Sequence, residues 1–158
     1  MTVHEQESIH HSRLESGQSL VEVAISLVIV LMLLSGVLDL GRVYYIYAAL
    51  EDGAGEAALY LALNPQCPTS LAGPQCADPN NAEYRARHAG GQEVDWPNAT
   101  ILIDIPTDTN GVPVYAVGEP VSVTIRYAFT LLTPIIPRIS GVNPLTLSAH
   151  ASQVIIGE

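Results

Sequence analysis

From Val23 to Leu38 the chain carries no charged side chain. With Leu20 and Val21 added, the apolar run reaches 19 residues, and Glu22 interrupts it near its start. At about 1.5 Å of rise per residue, a helix of this run measures roughly 28 Å, close to the hydrocarbon thickness of a bilayer. Tyr44, Tyr45 and Tyr47 follow closely, as suits rings in the headgroup layer with hydroxyls in water. A buried core helix is the alternative, but the remaining chain is too small to cover such a helix on every side. A cleavable secretory signal would need a basic start, a shorter apolar run and a small-residue cleavage site. Here Arg13 stands against Glu5, Glu7 and Glu15, the run is long, and no Ala-x-Ala follows. The pattern therefore reads as a retained anchor. Arg13 before the span and Arg42 after it balance one another, so the positive-inside rule does not decide orientation. A carboxylate at the mouth of the span, Glu22, is costly there and calls for a partner.

The two cysteines, Cys67 and Cys76, lie in the proline-rich stretch NPQCPTSLAGPQCA. Their spacing is too wide for a zinc half-site and is not that of a Cys-x-x-Cys redox pair. A disulfide closing the loop is the better reading, with two free thiols as the alternative. A disulfide persists outside the cytoplasm, which puts the part of the chain after the span on the extracytoplasmic side. The chain has six arginines, no lysine and 16 acidic residues, for a net charge of −10. No basic patch is available to neutralise phosphates, which argues against nucleic acid as a partner.

The apolar span runs on to Pro65 without a proline. In its second half Tyr47, Leu50, Ala54, Ala57, Ala58 and Leu61 recur at helical spacing, and Glu51, Asp52 and Glu56 face elsewhere. Ala49, Gly53 and Ala57 form a row four residues apart, as do Ala54, Ala58 and Ala62, and such rows suit close helix contact. One helix from about Ser19 to Leu63 is expected, with a bend near Gly53 and Gly55. Asp78-Pro79-Asn80-Asn81 reads as the start of a short helix that ends near His88, before Gly90-Gly91. The pattern then changes to period two, around Ile101–Ile105, Val121–Leu131 and Leu145–Ala149. Asn110-Gly111 marks a turn between the first two strands, and Val114–Val117 is a candidate short strand. The Thr133–Pro144 connection reads as a loop or helical turn. Short connections favour an antiparallel sheet with one face on the long helix. The fold class is therefore α+β. Residues 1–17 are a leader, 18–63 the long helix with its span at about 20–38, and 64–158 a small domain of three to four strands.

Gly17-Gln18-Ser19-Leu20-Val21-Glu22, followed by the apolar run, resembles a type IV pilin-like processing site. With Asp39-Leu40-Gly41-Arg42 and the tyrosine- and alanine-rich stretch from Tyr44 to Ala58, it resembles the TadE-like family of tight-adherence pilus systems. The detailed likeness covers about residues 16–58. Two positions depart from the family's pattern: Val23 stands where Phe or Tyr is frequent, and the leader is net acidic. The resemblance implies a pilin-like fold held in the inner membrane and cut by a prepilin peptidase between Gly17 and Gln18. Glu22 would then be the fifth mature residue, paired with the amino terminus of a neighbouring subunit, the alternative being a carboxylate that snorkels to the headgroups. Asp39 and Arg42, three apart, can pair at the opposite interface. The implied partners are the bilayer, a prepilin peptidase, and other pilins, pseudopilins and Tad apparatus proteins.

No phosphate-binding loop, His-Glu-x-x-His or Gly-x-Ser-x-Gly occurs in the chain. His4, His10 and His11 lie in the leader, and His88 and His150 are isolated, so no catalytic, cofactor or metal residue is expected. Two roles follow: a pseudopilin or minor pilin, or an anchored extracytoplasmic binding or adaptor module outside any filament.

Overall fold

The structure is a computed structural model. It describes residues 3–133, 138, 141 and 144–157, with side chains described from Gly17 onward. The chain divides into two units, Met1–Leu40 and Gly41–Glu158.

Helix α1 runs unbroken from Val3 to Leu63. It begins well before the expected Ser19: no proline interrupts the preceding residues, and Glu5, Gln6, Glu7, Arg13, Leu14 and Glu15 among them favour helix. It ends where Asn64-Pro65 forbids another turn. The helix is continuous through Gly53 and Gly55. Within the first unit, the large apolar side chains from Leu20 to Leu40 are 44–71% exposed. Such exposure does not support the core-helix alternative. The helix is long and apolar enough to cross a membrane, with a best 18-residue window of mean hydropathy 2.6.

The second unit is built around the other half of α1. Ile46, Leu50, Ala54, Ala57, Ala58 and Leu61 are buried along one stripe. Ile46 takes the place expected of Tyr47, which is 38% exposed. It lies one full turn before Leu50, so it continues the stripe better than its neighbour does. This stripe joins one core with Val121, Val123, Ile125, Phe129, Leu147 and Ala149 from the sheet. Strands β1 (Ala99–Asp104), β2 (Pro120–Phe129) and β3 (Leu145–Val154) form an antiparallel sheet in the order β1-β2-β3. Ile101 faces Ile125, and Phe129 faces Leu145 across the ladders. The expected strand at Val114–Val117 does not form. Pro113 makes an isolated bridge to Thr107, Val114 N–H donates to Pro106 O, and Val117 is left 62% exposed with nothing to pack on. β3 runs past Ala149 to Val154, because Ala151–Val154 pair with Pro120–Val123. The Thr133–Pro144 connection lies largely outside the described residues.

Helix α2 (Ala82–Ala89) starts later than Asp78. Its cap is Asn81, whose side-chain oxygen accepts from Tyr84 N–H at 2.8 Å while its amide donates to Asp78 Oδ1 at 2.7 Å and Cys76 O at 3.0 Å. The Asn110-Gly111 turn forms as expected. Gly111 has φ +78°, and the Asp108 carboxylate accepts from the N–H groups of Asn110 and Val112. The Val112 bond foremost holds that carboxyl below its usual pKa.

Two features lock the unit. Trp96, 9% exposed, donates its indole N–H to Gly91 O at 2.9 Å, and its own carbonyl accepts from Arg87. At the far end, Ile156 and Gly157 N–H both donate to Ala62 O, closing the last turn of α1, and Ile155 exchanges bonds with Gly118 and Glu119.

Gly53 sets how closely these parts approach. A Cβ there would stand 2.7 Å from Ala86 O, 3.1 Å from Trp96 and 3.3 Å from Ile125. Gly55 has nothing within 4 Å of that position. Gly53→Ala should therefore destabilise the protein by about 1–3 kcal/mol in overpacking. Gly55→Ala should be neutral, or stabilise by up to about 1 kcal/mol through helix propensity. Denaturant unfolding of the two variants in the same detergent checks this; equal midpoints would contradict the close approach.

Candidate processing and assembly site

The structure sets Gly17, Gln18 and Glu22 on adjacent turns of α1. A Cβ on Gly17 would meet nothing within 4 Å. Packing therefore leaves the position open, and what glycine contributes is a weak point in the helix. Glycine lowers helix stability by about 1 kcal/mol relative to alanine, so the backbone opens most cheaply there. Glu22 is exposed, with a long hydrogen bond of 3.4 Å from Gln18 Nε2 to its Oε1. That contact is intrahelical and leaves the carboxylate most of its capacity to accept.

At the other end of the apolar run Asp39 is only 2% exposed. A buried carboxylate needs hydrogen-bonded or charged company, and neither Asp39 nor Arg42 is without a partner. Arg42 lays its guanidinium over the Phe129 ring, 5.0 Å from the centroid. This cation–π contact ties α1 to the end of β2. Tyr44 and Tyr45 are each 70% exposed and meet edge to face at 6.3 Å. Tyr47 has its hydroxyl pKa raised, first by a hydrogen bond to Glu51 and then by the charge of that carboxylate.

These features, from Gly17 through the tyrosines to the alanine stripe, lie on one continuous helix. Residues 17–59 match the family model for TadE-like protein. The chain carries a TadE-like segment. No curated protein and no solved structure matches the chain. The matched residues nearly coincide with the 16–58 expected from the motifs. The TadE-like segment thus includes both the exposed apolar half of α1 and most of the half that packs under the sheet.

Beyond it, Cys67 and Cys76 are joined by a disulfide with Cα atoms 5.1 Å apart, and Cys76 is fully buried. The ring ties the end of α1 to the start of α2, since Ala82 and Glu83 N–H donate to Cys67 O and Pro68 O. Among the described residues no group of three or more His, Cys, Asp or Glu side chains converges to hold a metal. His88 stacks on Tyr84 at 3.7 Å, and His150 shares a 3.0 Å hydrogen bond with Thr124. Sequence reasoning passed over Trp96, although a single tryptophan between Asp95 and Pro97 was a usable signal for a core anchor. It also passed over Glu93, which faces Arg42 and Tyr45 across a cleft.

The cross-link is directly testable. Unreduced peptides should contain a Cys67–Cys76 pair by mass spectrometry. The Cys67→Ser, Cys76→Ser double variant should lose about 2–3 kcal/mol of stability, the chain-entropy value for so short a ring. Free alkylation of both thiols before reduction would overturn the pairing.

Proposed function

We propose that this chain is a membrane-anchored pseudopilin or minor pilin, a structural rather than enzymatic component in the assembly of a Tad-type pilus or related secretion apparatus. The TadE-like match, which opens on Gly17-Gln18-Ser19-Leu20-Val21-Glu22, carries this reading. The exposed apolar half of α1 supports an anchor in the inner membrane. The disulfide supports an extracytoplasmic second unit.

In this reading a prepilin peptidase cuts after Gly17 and frees the α-amino group of Gln18. The Glu22 carboxylate then receives the amino terminus of a neighbouring pilin subunit. Each charge is expensive at the edge of hydrocarbon, and docking neutralises both. Insertion needs neither, because Val23–Leu38 is apolar enough by itself.

N-terminal sequencing of the membrane-extracted protein should begin at Gln18. Gly17→Leu should leave a chain about 17 residues longer by blocking the cut, since it puts a bulky side chain beside a bond that now carries none on that side. Equal mobility of the two forms in cells with an active prepilin peptidase would favour an uncut anchor.

Glu22→Gln keeps the side-chain volume and removes the charge. Membrane levels should stay normal while co-purification with the apparatus falls severalfold, a loss in keeping with breaking a charge-assisted pair. Undiminished co-purification would favour an anchored adaptor outside the filament.

A further inference from the structure

We propose that the cleft between Arg42, Tyr45, Ile46 and Glu93 is a binding site for the zwitterionic headgroup of a phosphatidylethanolamine lipid, an inference that rests on the anchored reading above. The cleft measures about 400 Å³, within the range of small-ligand sites. Two separate parts of the chain build it. Arg42, Tyr45 and Ile46 come from α1, and Glu93 comes from the segment between α2 and β1.

Its chemistry is ordered by charge. Arg42 carries a planar fork of five N–H donors, so its guanidinium can serve a phosphate beside the partner it already has. The Phe129 ring beneath it fixes its direction. Tyr45, 70% exposed, adds a hydroxyl beside it. Ile46, 7% exposed, gives an apolar floor. Glu93 is exposed and supplies the opposite charge.

Position and scarcity point the same way. Arg42 follows Leu38 by four residues on a continuous helix, roughly 6 Å of rise, which is the depth of a headgroup layer. It is the one cationic side chain from Gly17 to Tyr84 in a chain with no lysine. An anionic lipid would meet that arginine and also the Glu93 carboxylate, which repels a second negative charge. A choline headgroup has no N–H to give Glu93. A primary ammonium has three, so ethanolamine satisfies both walls at once.

The test uses the full-length protein in nanodiscs of phosphatidylethanolamine mixed equally with phosphatidylcholine, with retained lipid counted by native mass spectrometry. Wild type should retain phosphatidylethanolamine about tenfold over phosphatidylcholine, the ratio expected for one charge-assisted bond. Glu93→Gln, an exposed and conservative change, should abolish the preference while leaving total retention near normal. Arg42→Lys keeps the charge, loses the fork and should weaken retention of both lipids. Equal retention of the two lipids by wild type, or an intact preference in Glu93→Gln, overturns the site while leaving the anchor in place. Failure of the protein to stay in the discs overturns the anchor and the site together. Soluble phosphoethanolamine should not match the lipid at equal concentration; equal occupancy would assign the cleft to a free zwitterion and overturn the lipid assignment.

Discussion

The second unit depends on how closely α1 lets its neighbours approach at Gly53. The absence of one side chain there brings the carbonyl of Ala86, the edge of Trp96 and the tip of Ile125 against the helix backbone. Gly90 does the same from the other side, where a Cβ would collide with Ala49 O and the Trp96 ring. Around this contact the buried residues are mostly alanines: Ala54, Ala57, Ala58, Ala82, Ala86 and Ala99. Small residues in both helices shorten the distance between backbones, and dispersion contacts multiply as the gap closes. The long side chains Leu50, Leu61, Ile125 and Phe129 fill what remains.

The small-residue rows were legible for the same reason. Ala49-Gly53-Ala57 announces a close helix contact from sequence, and at Ala49 and Gly53 the contact exists. Its partner is α2 with Trp96 of the same chain, which spacing alone could not name. The apolar helix was legible, because continuous apolarity without a proline over such a length favours one helix. The three strands were legible at their centres through period two. Their ends were not: β3 extends because β2 is there to pair with it, a nonlocal condition. Asn81 rather than Asp78 caps α2 because a three-way hydrogen bond with Asp78 and Cys76 pulls the start forward. The motif Gly17–Glu22 was visible as a pattern. Glu93 was invisible, since nothing local distinguishes one exposed glutamate from another.

The two halves of α1 use apolar residues in opposite ways. Before Leu40 they face outward all round; after Gly41 they narrow to a stripe on one side. A single helix thus has one solvent preference up to the Asp39–Arg42 turn and another beyond it. The charged pair of positions sits where the two preferences meet. Substitutions that lengthen the outward-facing portion past Arg42 would compete with the stripe for the same residues.

The bonds from Ile156 and Gly157 to Ala62, together with those joining Ile155 to Gly118 and Glu119, have a mechanical consequence. They fasten the far end of α1 to the ends of β2 and β3. The end of α1 therefore separates from the sheet only by breaking these bonds together and uncovering its apolar stripe.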